Sequence, residues 1–581
     1  MVKQRNTVLD AIKGIAIIAV ALYHFGGGIL PYGYLGVDVF LVVGGYLLIR
    51  SLSKQIGNSE FHYWSFLFRK IVRLWPLVLL AVIASVSVGY FLSLPDDYEN
   101  LAESAIASSA FANNVLQCIT TKNYWDVVNQ YKPLMHLWYV GVLMQAYVVL
   151  PIIYVAFNRI YKTDFAKKCT IILTAISFAL FVLPFFSTAQ KFYYLPFRIY
   201  EITTGGVLLF VKPPENKRVR TAVAGVSGIF LIILLCSRYE LISGSFMVVL
   251  TVLSTVLFLW TTMDITGGAV IKGLAEIGRR SYSIYIWHQV IIAFLFYSVY
   301  QYANPVSFIV FLFITVVISI LSYQFVEKPL GSIIGEKKKE AVVIVSGVFL
   351  AVIVCAFSFI VYMHAGVVRD VPELGITREN AHRHMHSEYC DRPYGWDQPF
   401  EADKHPKILV LGNSFGRDWA NILYEFDSDL NISYVFYNLV SEFPSIDDRI
   451  AEADFVFFAV HGETGIPDAV REHIGPDKLS VVGNKNFGTS NGIIYAKRGT
   501  EGYYDLEVPL LSSLMDEDLS LAEEFGDHYI SMIEPVKDGT SVRVFTDEKQ
   551  FISQDCRHLT QAGARYYSRV IDIAGLLGLP D

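Results

Sequence analysis

The chain has 581 residues, 53% hydrophobic and 14% aromatic, but only 17% charged. Soluble proteins carry about a quarter charged residues, so this balance excludes a purely soluble protein and marks an integral membrane protein with length for a second domain. A net charge of −7 without any basic block excludes a nucleic-acid partner. The N-terminal MVKQRN followed by an apolar run resembles a signal peptide, yet no small-residue cleavage site follows and further spans do, so it reads as a retained span. Eleven candidate spans are each long enough for ~30 Å of hydrocarbon: 8–25, 34–50, 74–94, 134–157, 169–187, 193–211, 221–237, 243–263, 282–302, 305–326 and 341–363. Lys and Arg concentrate at the N-terminus and in alternate loops, including Arg69, Lys70 and Arg73 after the second span. The positive-inside rule then puts the N-terminus in the cytoplasm and, because the span count is odd, the C-terminal portion outside.

Several spans carry groups that hydrocarbon disfavours. Lys13 and His24 are eleven residues apart on the first span, which brings them within about 20° on one helical face, with Asp10 three residues before Lys13. A snorkelling Lys and an interfacial His are the structural alternative. His136, Trp138 and Gln145 mark the fourth span, and Arg198, Glu201 and Gly205 share a face of the sixth. Ser281, Tyr285 and His288 cluster on the ninth, and Glu327 ends the tenth. Any one of these suits interhelical hydrogen bonding, whereas together they suggest a polar path through the bundle.

Residues 365–403 are polar and read as a linker; His382, His384 and His386 lack the Cys or carboxylate spacing of a metal site. From residue 404 the pattern is soluble α/β. KILVLG at 407–412 and FVFFAV at 455–460 read as buried strands, and about 175 residues suffice for one doubly wound domain. Ser414 follows the first strand at a strand-to-helix turn, and Asp555 precedes His558 by three in QDCRHLTQAGA. A hydroxyl at such a turn, with helix amides nearby and a His–Asp pair, suits nucleophilic catalysis. Ser414 as a simple N-cap and His558 as a surface residue is the alternative. Cys390 and Cys556 both belong to the external part, so a disulfide between them is expected.

Residues 7–331 resemble acyltransferase family 3. The stretch DAIKGIAIIAVALYH has the family's basic residue and His, with Lys13 where Arg is usual. GYLGVDVFLVVGGYLL, FLFRKIVRLWP, SYSIYIWH and FVEKPL resemble its later motifs in order, while Leu143 and Met144 stand where a Glu pair is usual. Gly412-Asn413-Ser414 and Asp555-x-x-His558 resemble the first and last blocks of SGNH hydrolases, with Asn413 for the usual Asp. The middle blocks are not placed; His461-Gly462 is a weak candidate. The expected fold is a polytopic α-helical membrane domain of about 11 spans followed by an extracytoplasmic α/β doubly wound SGNH-like domain. The boundaries are a membrane domain at 1–335 with ten spans, an eleventh span at 336–364, a linker at 365–403 and the SGNH-like domain at 404–581.

The resemblance implies transfer of an acetyl group from cytoplasmic acetyl-CoA across the bilayer to a hydroxyl of a cell-envelope glycan: peptidoglycan, O-antigen or another surface polysaccharide. Acyl-CoA is then a substrate, and no permanently bound cofactor or metal is expected. His24, Ser414, Asp555 and His558 are the expected catalytic residues. Lys13, Arg69, Lys70, Arg73, Arg198 and Glu201 are the expected donor-binding residues, the cytoplasmic cations meeting the CoA phosphates. Two rivals share these features: an extracytoplasmic carbohydrate esterase using the same triad with water, and a transporter with a fused accessory domain.

Overall fold

The computed structural model describes residues 6–579 except 27–28, 121–129, 238–243, 264–267, 301–302, 384, 439–441, 460–465 and 554. The chain forms two compact units, residues 1–91 with 100–360, and residues 92–99 with 361–581.

The first unit is helical. Among the described residues nine helices are long and apolar enough to cross a membrane, beginning with α1 (Thr7–Phe25), α2 (Gly36–Gly57) and α3 (Tyr63–Leu92). The two other expected spans take different forms. Within 193–211 lies the short helix Ile199–Val207, preceded by the 3-10 turn Leu195–Phe197. The expected span 282–302 is covered largely by the continuous helix Ser281–Ser298, whose polar pair His288 and Gln289 lowers its apolar character. Asn6 starts α1 by accepting from the amides of Val8 and Leu9, which would otherwise be orphaned.

Glycine decides which helices meet. A methyl group on Gly278 would sit 1.7 Å from the Asp10 carbonyl oxygen, and one on Gly14 would sit 2.1 Å from that of Leu274. The same holds between α2 and the helix Ile199–Val207, where Gly45 faces Ile202 and Gly205 faces Val42. Backbones in such contact are the small-residue packing that substitutes, in lipid, for a hydrophobic driving force. They bring Arg279 beside Asp10, and Arg198 with Glu201 beside Asp38.

The second unit is built on a parallel sheet in the order β2-β1-β3-β4-β6. Its strands are β1 (Lys407–Gly412), β2 (Asn431–Phe436), β3 (Phe455–Ala459), β4 (Leu479–Val482) and β6 (Tyr529–Ile530). The continuous apolar run of β1 follows from burial on both faces. Ile408 and Val410 pack with Trp419 and Ile422, while Leu409 and Leu411 pack with Val435 and Phe458. A second, small antiparallel sheet holds β5 (Glu507–Pro509), β8 (Ser541–Arg543) and β7 (Lys537–Asp538) in that order. Val371, Cys390 and Phe400, from the segment expected as a linker, are buried in this unit. His382 pairs with Glu388 at 2.7 Å, whereas His384 and the side chain of His386 lie outside the described residues.

The expected disulfide is absent. Cys390 and Cys556 are both buried thiols that form no disulfide with each other. Cys390 donates to the carbonyl of Leu559 (3.6 Å) and Cys556 to Oδ1 of Asn491 (3.2 Å), so the two sulfurs serve different acceptors. Burial pushes the Cys390 thiol up to about 12 and raises that of Cys556 as well, which keeps both protonated and unreactive.

Candidate active site

In the helical unit three imidazoles converge. His24, near the C-terminal end of α1, places Nδ1 3.0 Å from Nε2 of His288. His288 also sets Nδ1 2.6 Å from the carbonyl of Tyr285, and a carbonyl only accepts. With neutral rings, the proton of His288 is therefore on Nδ1, His24 donates from Nδ1, and the lone pair of His24 is on Nε2, the form a base or acyl acceptor needs. His136 donates from Nε2 to the Ile286 carbonyl (3.1 Å), and its ring lies 5.2 Å from that of His288. The hydroxyl of Tyr285 in turn donates to the His136 carbonyl. Ser283 donates to Glu327 (2.9 Å) and Trp287 to Ser322 (2.7 Å), which joins the SYSIYIWH stretch to the helix ending in FVEKP.

The expected donor-binding residues fall into separate places. Lys13 pairs with Asp10 at 3.0 Å on α1, and Arg279 approaches the other Asp10 oxygen at 3.9 Å. Eleven residues of helix separate Lys13 from His24, about 16 Å along the axis. On α3, Arg73 is exposed, Arg69 donates to the Ser65 carbonyl (3.0 Å), and Lys70 lies over the rings of Tyr147 (4.3 Å) and Phe66 (5.3 Å). Arg198 and Glu201 are buried elsewhere. Arg198 holds both Glu201 (2.6 Å) and Asp38 (2.7 Å) and donates to the Phe192 carbonyl (2.9 Å). These bonds use three of the five guanidinium N–H groups, two of them on carboxylates from different helices, which fits a brace between α2 and the helix Ile199–Val207.

In the second unit Ser414, Asp555 and His558 form one hydrogen-bonded chain. Ser414 Oγ donates to His558 Nε2 at 2.7 Å, and His558 Nδ1 donates to Asp555 Oδ2 at 2.8 Å. The amides of His558 (2.8 Å) and Arg557 (3.0 Å) hold the other Asp555 oxygen. Partial desolvation works against the Asp555 charge although its side chain is half-exposed, and these bonds with the adjacent imidazole hold the carboxyl at about 2, so it is ionised at neutral pH. Ser414 opens the helix Ser414–Phe426 directly after β1. Gly412 permits that turn: a methyl group there would sit 2.0 Å from the Ala459 carbonyl on β3. Asn413 caps the helix by accepting from the Phe415 amide (3.0 Å), a task a carboxylate at this position performs equally.

Beneath the triad lies a cluster that sequence reasoning missed. Asp418, one turn after Ser414, accepts the Leu559 amide (3.0 Å) and the Lys485 ammonium (2.9 Å) through the same oxygen. Lys485 follows β4, is buried, and lies 4.2 Å from the Phe415 ring centre. Burial lowers its affinity for a proton, and Asp418 opposes this. Asn491 donates to the Ser553 carbonyl (2.8 Å), and the Phe487 amide donates to the Cys556 carbonyl (2.8 Å). The loop bearing Asp555 and His558 is thus tied at both ends to elements far away in the chain. His461 and Gly462, the candidate middle block, lie outside the described residues.

Residues 6–324 match the family model described as an acyltransferase domain. A peptidoglycan O-acetyltransferase, OatA, of Listeria monocytogenes is 28% identical over 344 residues, covering 55% of this chain and 55% of that protein. An O-acetyltransferase OatA of Staphylococcus aureus is 26% identical over 344 residues, covering 55% of this chain and 56% of that protein. The chain thus matches little more than half the length of these curated relatives. No solved structure matches it. The family match spans over half of the chain and takes in the histidine cluster and the motifs around it, and by that match the chain belongs to acyltransferase family 3.

Proposed function

We propose that this protein is a membrane O-acyltransferase that moves an acetyl group from cytoplasmic acetyl-CoA to a hydroxyl of a cell-envelope glycan. The observation that carries the reading is the Ser414–His558–Asp555 hydrogen-bond chain, at 2.7 and 2.8 Å, in the same polypeptide as an acyltransferase domain. The relatives named as O-acetyltransferases, one of peptidoglycan, support the acceptor class.

The helical unit accepts the acyl group. Lys13, Arg69, Lys70 and Arg73 lie in segments expected at the cytoplasmic face and suit the anionic groups of CoA. His24, with its Nε2 lone pair, either takes the acyl group from the thioester or deprotonates the group that does. The second unit, lying outside the membrane in this reading, completes transfer. Ser414 Oγ attacks the acyl carbonyl carbon while His558 Nε2 takes its proton, and that proton passes to the leaving group as the donor's acyl bond breaks. The tetrahedral oxyanion forms beside the amino end of the helix Ser414–Phe426. A glycan hydroxyl then gives its proton to His558 and attacks the acyl-serine, which forms the glycan ester and restores Ser414. Asp555 keeps the imidazole in the required tautomer throughout.

The test is transfer from radiolabelled acetyl-CoA by the full-length protein in liposomes, with the glycan acceptor outside. Label in an alkali-sensitive ester on the glycan is expected. Release of free acetate in place of that ester would identify an esterase.

A further inference from the structure

We propose that Tyr394 and Phe436 form a stacking platform for a sugar ring of the acceptor glycan beside the nucleophile turn; this rests on the reading of Ser414 as acyl carrier. Both rings are exposed, Tyr394 at 42% and Phe436 at 50%, and their centres are 6.1 Å apart. Lone exposed aromatics are ordinary, but two neighbouring rings tilted by 56° to one another, next to a nucleophile turn, form an open aromatic corner that a ligand can cover.

Their position follows from the fold. Phe436 is the last residue of β2 and pairs in register with Gly412, two residues before Ser414. Tyr434 shares its face of the strand, because side chains alternate. The Tyr434 hydroxyl contacts the carbonyls of Gly412 (3.0 Å) and Asn413 (2.9 Å), so that face is the one carrying the nucleophile turn. The Tyr394 ring lies 5.6 Å from that of Tyr434. Ligands of doubly wound sheets bind outside the carboxyl ends of the strands, and the pair sits at that end of β2.

The platform is also held rigid. Tyr394 belongs to the 3-10 segment Arg392–Trp396. Arg392 anchors this segment to Asn421 (2.7 Å) and Glu425 (3.1 Å), and Trp396 stacks on Tyr424 at 5.5 Å. Asp391, beside it, is half-exposed and paired with Arg417 (2.6 Å), which leaves a carboxylate edge for a sugar hydroxyl. A pyranose presents one face of C–H groups, which stacks on the negative face of an aromatic ring, and a rim of hydroxyls for polar neighbours. Continuity with the Ser414 turn is what selects a sugar over another occupant, because the acceptor hydroxyl must reach the acyl-serine.

The test is equilibrium dialysis of a labelled N-acetylglucosamine tetramer against the full-length protein in nanodiscs, in a Ser414→Ala background so that binding is read without turnover. Adding Tyr394→Ala and Phe436→Ala together should weaken binding at least tenfold, and Tyr394→Trp should retain it. Fluorophosphonate labelling of the same variants with Ser414 restored reports that the triad remains assembled. Absence of tetramer binding, or unchanged affinity in the double variant, overturns the proposal. So does loss of binding to anionic vesicles with tetramer affinity intact, because the rings would then be a membrane contact. Failure of the acyl-carrier reading is separable: it appears as absent labelling at Ser414, whatever the dialysis gives.

Discussion

At the residue scale the account rests on where protons sit. Ser414, His558 and Asp555 are linked by two short bonds, and Asp555 is ionised because its bonds to His558 outweigh its partial desolvation. Its carboxyl, held at about 2, lies below the ordinary ~3.9 of a free aspartate. A depressed value of this kind stabilises the fold at pH above the unfolded value and is lost as pH falls through about 2. The wild type should therefore unfold at higher temperature than Asp555→Asn at pH 5, with the gap closing toward pH 2. A gap that is constant over that range would show that the Asp555 charge does not contribute. In the helical unit, His24→Ala should abolish transfer from acetyl-CoA while fluorophosphonate labelling of Ser414 in the full-length variant persists. Surface acetylation at the wild-type level in stably expressed His24→Ala would remove His24 from the mechanism.

At the scale of elements, long-range ties hold the reactive groups. The buried Asp418–Lys485 pair also holds the amide next to His558, and leaving one charge of such a pair alone typically costs about 3–5 kcal/mol. Lys485→Met should therefore lower the unfolding temperature and slow Ser414 labelling at least tenfold, with Asp418→Asn added to it recovering stability more than rate. Labelling at the wild-type rate in a folded Lys485→Met protein would contradict a positioning role. In the first unit, Gly278→Ala places a methyl group against the Asp10 carbonyl, so α1 must shift. A loss of about 1–3 kcal/mol is expected from such overpacking, read as a lower thermal midpoint in detergent.

These same elements show what was legible in the sequence. The strand before Ser414 and the Asp-x-x-His spacing are local patterns, and the structure joins them. The helical spans were legible from apolar length, though the helix Ser281–Ser298 carries polar residues midway and 193–211 breaks into shorter pieces. Lys485 with Asp418, Arg198 with Asp38 and His288 with His24 were not, because each partner lies far along the chain and only the fold sets the pairing. Arg198 and Glu201 were read correctly as sharing a helical face, but the second carboxylate that occupies Arg198 comes from α2. The disulfide failed for the same reason: shared compartment does not fix which way two sulfurs point, and these two bond to separate acceptors.

At the scale of the whole molecule the central claim is that Ser414 carries the acyl group between a membrane acyltransferase and a glycan. The direct measurement is glycan O-acetylation from radiolabelled acetyl-CoA by full-length Ser414→Ala in liposomes, compared with the wild type at equal protein. The account predicts a fall of at least about a hundredfold, in line with removal of a nucleophile from a catalytic triad. Fluorophosphonate labelling should disappear with it. Glycan acetylated at the wild-type rate by Ser414→Ala would contradict the account, because the helical unit would then be transferring to the glycan directly.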